Sequence, residues 1–186
     1  MTYKIDAKLI KVLLQNKYRY KDGALVASEA SISGTNNIAD ILVYQLKDCS
    51  FFEIEIKISK SDMLADLLKG KHKLYKDVNF KYTPNKFYYA VPSKLVAICI
   101  QFISDNNLPY GVIEIVTEGI NSSAFSFKKM VRHSFKYSKV IKVVKRPKSL
   151  SSHKITSYQR DTFLMRLGSE VATTSRKLLE INTKLT

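Results

Sequence analysis

Cysteine is scarce in this chain. Only Cys49 and Cys99 occur, in no paired spacing, so neither a disulfide framework nor a thiolate zinc site is indicated. Four prolines and six glycines leave no room for a low-complexity linker, and no repeat recurs at solenoid spacing. The longest apolar run, Leu95 to Ile100, is far too short to cross a bilayer. The start, Met1-Thr2-Tyr3-Lys4-Ile5-Asp6, lacks the apolar core of a signal peptide. The expectation is a soluble protein without a membrane partner, cytoplasmic in a bacterium (cytosol or nucleoid) or in a phage-infected host. His72, His133 and His153 have neither HExxH spacing nor nearby cysteines, and P-loop, GxGxxG and GxSxG motifs are missing. Zinc hydrolysis, nucleotide binding through a glycine loop and serine-elbow chemistry thereby find little support.

Acidic residues are also few, and their distribution is uneven. The 31 Lys and Arg outnumber the 16 Asp and Glu, for a formal charge of +15. A field of that sign favours polyanions. An AT-rich genome would also enrich lysine, isoleucine and asparagine, but uniform bias would not clear acids from one stretch. Residues 119–160 contain none, while Lys128, Lys129, Arg132, Lys136, Lys139, Lys142, Lys145, Arg146, Lys148, Lys154 and Arg160 all fall there. That pattern points to a surface facing nucleic acid.

With 186 residues and 45% hydrophobic content, the chain can bury one substantial core. Leu9, Ile10, Leu13 and Leu14 predict an opening helix over residues 6–15, and strands are predicted over 25–32, 38–46 and 51–58. The last has the clearest alternation: Phe52, Ile54, Ile56 and Ile58 face one way, Glu53, Glu55 and Lys57 the other. Ser59 and Asp62 stand at capping-box spacing, starting a helix expected to run through Met63, Leu64, Leu67 and Leu68 towards Tyr75. Further strands are expected over 85–91, 110–116 and 139–144, with a helix over 94–104. From Ser157, Leu164, Leu167, Val171, Thr174, Leu178, Ile181 and Leu185 recur in steps of three and four. A short amphipathic helix packed on its own core accounts for this, and a homodimer through it is the sharper alternative.

Glu55 and Lys57 project from one strand face. If Lys47 to Ser50 forms a tight hairpin, paired residues sum to about 97, which sets Asp40 opposite Lys57 and diagonal to Glu55. Two converging carboxylates form a hard-oxygen site suited to Mg²⁺ or Mn²⁺. Such an ion can activate water and stabilise charge on phosphorus, while Lys57 orients the water or holds the phosphate.

The runs Ala39-Asp40-Ile41-Leu42-Val43 and Glu53-Ile54-Glu55-Ile56-Lys57-Ile58-Ser59-Lys60-Ser61-Asp62 resemble the PD-(D/E)XK nuclease superfamily. More narrowly they are similar to its MmcB-like DNA-repair branch and related phage proteins, as are Asn85 to Pro92 and Tyr110 to Glu114. The likeness covers roughly residues 24–117, with an echo at Val140 to Lys148. Where that branch commonly carries arginine this chain has Ile38, and where it tends to carry tryptophan it has His72.

The resemblance implies a restriction-endonuclease-like mixed sheet flanked by helices over residues 1–148, an α/β fold, followed by a basic C-terminal helical extension over 149–186. It implies that Asp40 and Glu55 hold the metal, that Lys57 is the motif lysine, and that Glu29 matches an upstream acidic position. Lys60, Lys69, Lys71, Lys73, Lys128, Lys129 and Arg132 are candidate nucleic-acid contacts. The expected activity is metal-dependent hydrolysis of DNA in repair, recombination or phage DNA processing, with RNA as the other polyanion. The alternative is a catalytically inactive nuclease-fold module that binds nucleic acid or a partner.

Overall fold

The computed structural model describes residues 6–31, 38–77, 80–116 and 140–183. Its centre is a six-stranded mixed sheet in sequential order: β1 (Leu25–Ala30), β2 (Ala39–Gln45), β3 (Ser50–Ile56), β4 (Lys86–Pro92), β5 (Gly111–Ile115) and β6 (Ile141–Lys145). β1, β2 and β3 are antiparallel, β3, β4 and β5 are parallel, and β6 returns antiparallel. The turn expected at Ser33 to Asn37 and the first half of the basic stretch, residues 119–139 with Lys128, Lys129 and Arg132, lie outside the described residues.

One face is covered by α1 (Ala7–Asn16), whose first turn is capped by the Asp6 carboxylate accepting the Leu9 N–H at 2.8 Å. Ile10, Leu13 and Leu14 pack there on Ile41, Val43, Ile54, Ile56, Ile113 and Ile115. The expected parity of β3 therefore holds for Phe52, Ile54 and Ile56, while the strand ends at Ile56 and Ile58 beyond it is exposed. On the opposite face α2 (Lys60–Asp66), α3 (Lys71–Leu74) and α4 (Val96–Asp105) lie beside a second cluster around Phe87, Tyr89, Val91 and Val112.

Three local expectations need correction. The single helix expected from Ser59 to Tyr75 is broken between Asp66 and Lys71, where Leu67–Gly70 forms successive turns. Ser59 does cap its start, accepting the Asp62 N–H at 3.2 Å. The β2–β3 register pairs Gln45 with Ser50 and Ile41 with Ile54, a sum of 95 rather than 97. A four-residue connection shifts it: Cys49 adopts φ +55°, and the Asp48 carboxylate accepts from the Ser50 N–H at 3.0 Å and Oγ at 2.6 Å. Because the shift is two residues, side chains keep their faces.

The third correction concerns the C-terminal helix, α5 (Ser157–Thr183), which is 27 residues long rather than short. Phe163 is buried against Leu42, Tyr44 and Phe51, with Leu167 beside it, whereas Leu164 and Val171 are exposed. The contact stripe thus differs from the one the heptad-like spacing suggested; the side chains of Thr174, Leu178, Ile181 and Leu185 are outside the described set. Polar side chains explain why the helix lies along β1. Glu170 accepts from the Ser28 N–H at 2.6 Å, and Arg166 donates to the Glu29 carbonyl at 3.0 Å, satisfying groups that an edge strand leaves open. The extension is stitched to the sheet before the helix begins, through Leu150 N–H to the Asn85 carbonyl and Ile155 N–H to the Cys49 carbonyl.

Gly111 opens β5 where backbones and rings crowd. A Cβ there would come within 2.7 Å of Tyr88 Cδ1 and 2.8 Å of the Lys145 carbonyl oxygen. Gly111→Ala is expected to cost about 1–3 kcal/mol by overpacking. Chemical denaturation measures this, and an unchanged midpoint would contradict the packing.

Candidate active site

The polar face of β3 is not solvated. Glu53, Glu55 and Lys57 are each 2% exposed, because the α2–α3 segment folds over them. Glu53 is therefore a buried member of the cluster rather than a surface charge. The break after Asp66 lets Lys69 and Lys71 turn back onto the strand, while His72 turns to Asp66 and Tyr110.

The resulting ion network is dense. Lys57 Nζ lies 3.2 Å from Glu55 Oε1, 2.8 Å from Asp66 Oδ1 and 3.5 Å from Asp62 Oδ1. Lys71 Nζ bridges Glu53 Oε1 and Glu55 Oε2, both at 2.7 Å. Lys69 pairs with Glu55 Oε1 and, at 2.8 Å, with Asp66 Oδ1. Asp66 Oδ2 meets His72 Nε2 and accepts from the Tyr89 hydroxyl, each at 2.8 Å, while His72 Nδ1 contacts the Tyr110 hydroxyl at 2.8 Å. The Tyr75 hydroxyl donates to Glu53.

Asp40 sits one residue beyond the last β2–β3 pair, so the register carries it opposite Glu55, not opposite Lys57 as expected. Its Oδ2 accepts the Ile56 N–H at 2.8 Å, taking over a strand donor where the ladder ends. Burial raises the Asp40 carboxyl above its usual range, and the charge of Glu55 raises it further. The two carboxylates therefore feel one another. For Glu55, burial pushes the same way, but Lys71, Lys57 and Lys69 outweigh it and hold the group low. For Asp66, burial is outweighed by its contacts with His72, Lys57 and Lys69, which hold it far below the carboxylate range.

The other expected residues scatter. Glu29 takes φ +46°, and its exposed carboxylate pairs at 2.8 Å with Lys11 of α1, the helix on the other face of the sheet. Lys71, expected to touch nucleic acid, is 1% exposed and committed to Glu53 and Glu55. Lys60 and Lys73 are exposed, and the side chain of Lys69 is 43% exposed.

Asp66 was missed by sequence reasoning, although it is the most connected acid of the network. In the structure it follows buried Met63 by one helical turn and so occupies an inward position where an apolar residue is the norm, which the spacing of apolar residues alone does not reveal. Tyr89 and Tyr110 belong to the aromatic core and Tyr75 packs against it; the hydroxyls of Tyr75 and Tyr89 also donate to Glu53 and Asp66, and that of Tyr110 contacts His72.

Asp40 and Glu55 offer the oxygen donors that a hard divalent cation takes, and mutual repulsion of two carboxylates is what such an ion would relieve. Among the described residues no trio of His, Cys, Asp or Glu converges as a ready metal centre. Ammonium groups occupy the positions around Glu55 instead.

No family model and no curated protein matches the chain. A solved structure of a protein of unknown function from Silicibacter pomeroyi is similar, with a TM-score of 0.53 and 13% identity, over 91% of this chain and 90% of that one. The shared property is the fold. It is α/β: a mixed sheet of six strands with flanking helices. Among the described residues no helix is long and apolar enough to cross a membrane.

Proposed function

We propose that the protein is a metal-dependent nuclease that hydrolyses DNA phosphodiester bonds in repair, recombination or phage DNA processing. Asp40 and Glu55 would hold Mg²⁺ or Mn²⁺, with Lys57 beside them. The observation that carries this reading is the approach of Asp40 to Glu55 from adjacent strands, with the Lys57 ammonium 3.2 Å from Glu55. When bound, the ion would supply an acidified water and charge stabilisation at phosphorus.

The chain's own residues would do the positioning. The Ile56 N–H fixes one oxygen of Asp40 and leaves the other for a ligand. Asp66 holds the Lys57 ammonium on the Glu55 side, beside the place where a phosphate oxygen would build negative charge. Exposed Lys60, Lys69 and Lys73 supply the electrostatic attraction for a phosphate backbone.

Asp40→Asn is the cleanest test, because an amide oxygen can still accept the Ile56 N–H. With duplex, single-stranded and branched DNA, and RNA alongside, cutting should require Mg²⁺ or Mn²⁺. It should fall by about 10²–10³-fold in Asp40→Asn, and as far in Glu55→Gln and Lys57→Ala, with folding followed by circular dichroism. Cleavage that survives in all three folded variants, or that ignores divalent ions, would refute the assignment.

A second reading is favoured by one feature. Both oxygens of Glu55 already contact ammonium groups and the residue is 2% exposed, as suits a scaffold that grips nucleic acid or a partner without turnover. Salt-sensitive binding with no cleavage of any substrate under either ion would select it.

A further inference from the structure

The three lysines around Glu55 are not equivalent. Lys57 rises from the end of β3 and Lys71 from α3, and the side chain of each is 2% exposed. Lys69 reaches in from the turn between α2 and α3, and its side chain is 43% exposed. That turn is loosely anchored on its outer side. Leu68 is 88% exposed, and nothing lies within 4 Å of where a side chain on Gly70 would begin. Lys69 shares both of its acceptors, Glu55 Oε1 and Asp66 Oδ1, with Lys57. At Asp66 Oδ1 the two ammonium groups stand at 2.8 Å, yet neither has the angle of a hydrogen bond, so this fully buried oxygen is charge-paired without a directional donor.

We propose that Lys69 is a built-in competitor for the divalent cation: its ammonium covers Glu55 Oε1 and Asp66 Oδ1, and a metal ion binds there by displacing it. The inference rests on the metal-dependent reading above and adds Asp66 as a ligand. Charge balance supports the exchange. Glu53, Glu55 and Asp66 are matched by Lys57, Lys69 and Lys71, so withdrawal of Lys69 leaves the cluster one charge negative, with Asp40 and Asp62 nearby. Withdrawal of Lys57 or Lys71 would instead strand buried carboxylates. The displaced ammonium swings towards solvent, where a phosphate can receive it. Polyanion and metal should therefore each raise the other's affinity.

The test measures Mn²⁺ binding to the full chain by electron paramagnetic resonance of the free ion, without nucleic acid. Lys69→Gln should bind Mn²⁺ about five- to tenfold more tightly than wild type, whereas Lys69→Arg, which keeps the charge, should stay near wild type. Equal or weaker binding by Lys69→Gln overturns this proposal alone. Absence of Mn²⁺ binding in both proteins overturns it together with the metal-dependent reading. A second measurement needs no variant: acylation of the Lys69 amine in wild type, followed by mass spectrometry, should accelerate on adding Mn²⁺, and an unchanged rate overturns the exchange.

Discussion

Lys71→Ala should lower the melting midpoint by roughly 6–20 °C or prevent folding. The change removes the ammonium that bridges Glu53 and Glu55 and leaves both carboxylates in a space closed to water. Breaking a buried pair in this way costs about 3–5 kcal/mol, and about 1 kcal/mol moves the midpoint of a domain this size by some 2–4 °C. Burial already raises the Glu53 carboxyl although Lys71 opposes it, so without Lys71 the proton becomes harder still to remove. The double variant Lys71→Met with Glu53→Gln should recover much of the loss, because a neutral pair of similar volume restores packing without an orphan charge. A Lys71→Ala protein melting within about 2 °C of wild type would show that Glu53 and Glu55 reach water.

Asp66→Asn should cost about 3 kcal/mol or more at neutral pH and flatten the acid limb of the stability profile. The direction follows from linkage. The folded-state carboxyl of Asp66 is held far below its unfolded value, so its stabilisation is fully present above about pH 4 and is lost as pH falls towards the folded value. Glu55 shifts the same way. Glu53 and Asp40 are raised, so the folded protein binds their protons more readily, and in the window just above the ordinary carboxylate range they oppose the loss. Urea midpoints from about pH 7 to about pH 3 should therefore fall most steeply at the acid end in wild type and less so in the variant. Parallel profiles for the two proteins would place the acid sensitivity elsewhere.

These two expectations bear on function as well as stability. Apolar residues of similar volume could fill the space under α2 and α3 with no loss of stability. A balanced cluster of buried acids and lysines at the end of β3 adds little that packing could not, which counts towards a chemical role.

Much of the fold was legible because period and turn chemistry are local. Alternation in β3 gave its two faces, and Asp6, Ser59 and the leucines of α1 fixed helix starts from adjacent residues. The hairpin register was misjudged because it depends on the left-handed backbone of Cys49 and the Asp48 side chain, which the dipeptide alone does not specify. The helix expected to reach Tyr75 failed for a tertiary reason. Leu64 and Leu68 are exposed in the structure, while Asp66, Lys71 and His72 are the buried residues. Hydrophobic spacing could not rank those polar groups as inward, because their burial depends on partners contributed by β3, β4 and the residue before β5.

By itself the sequence determined the excess of positive charge, the strand that aligns Glu55 with Lys57, and the nearby carboxylate of Asp40, since these follow from composition and from a period of two. Only the tertiary structure decided that the face is closed, that Asp66 completes it, that Glu29 pairs with Lys11 and that Lys71 serves the core. The reason is physical: a charged side chain settles inside a protein only where opposite charges from distant segments meet it, and no local pattern records where distant segments will meet.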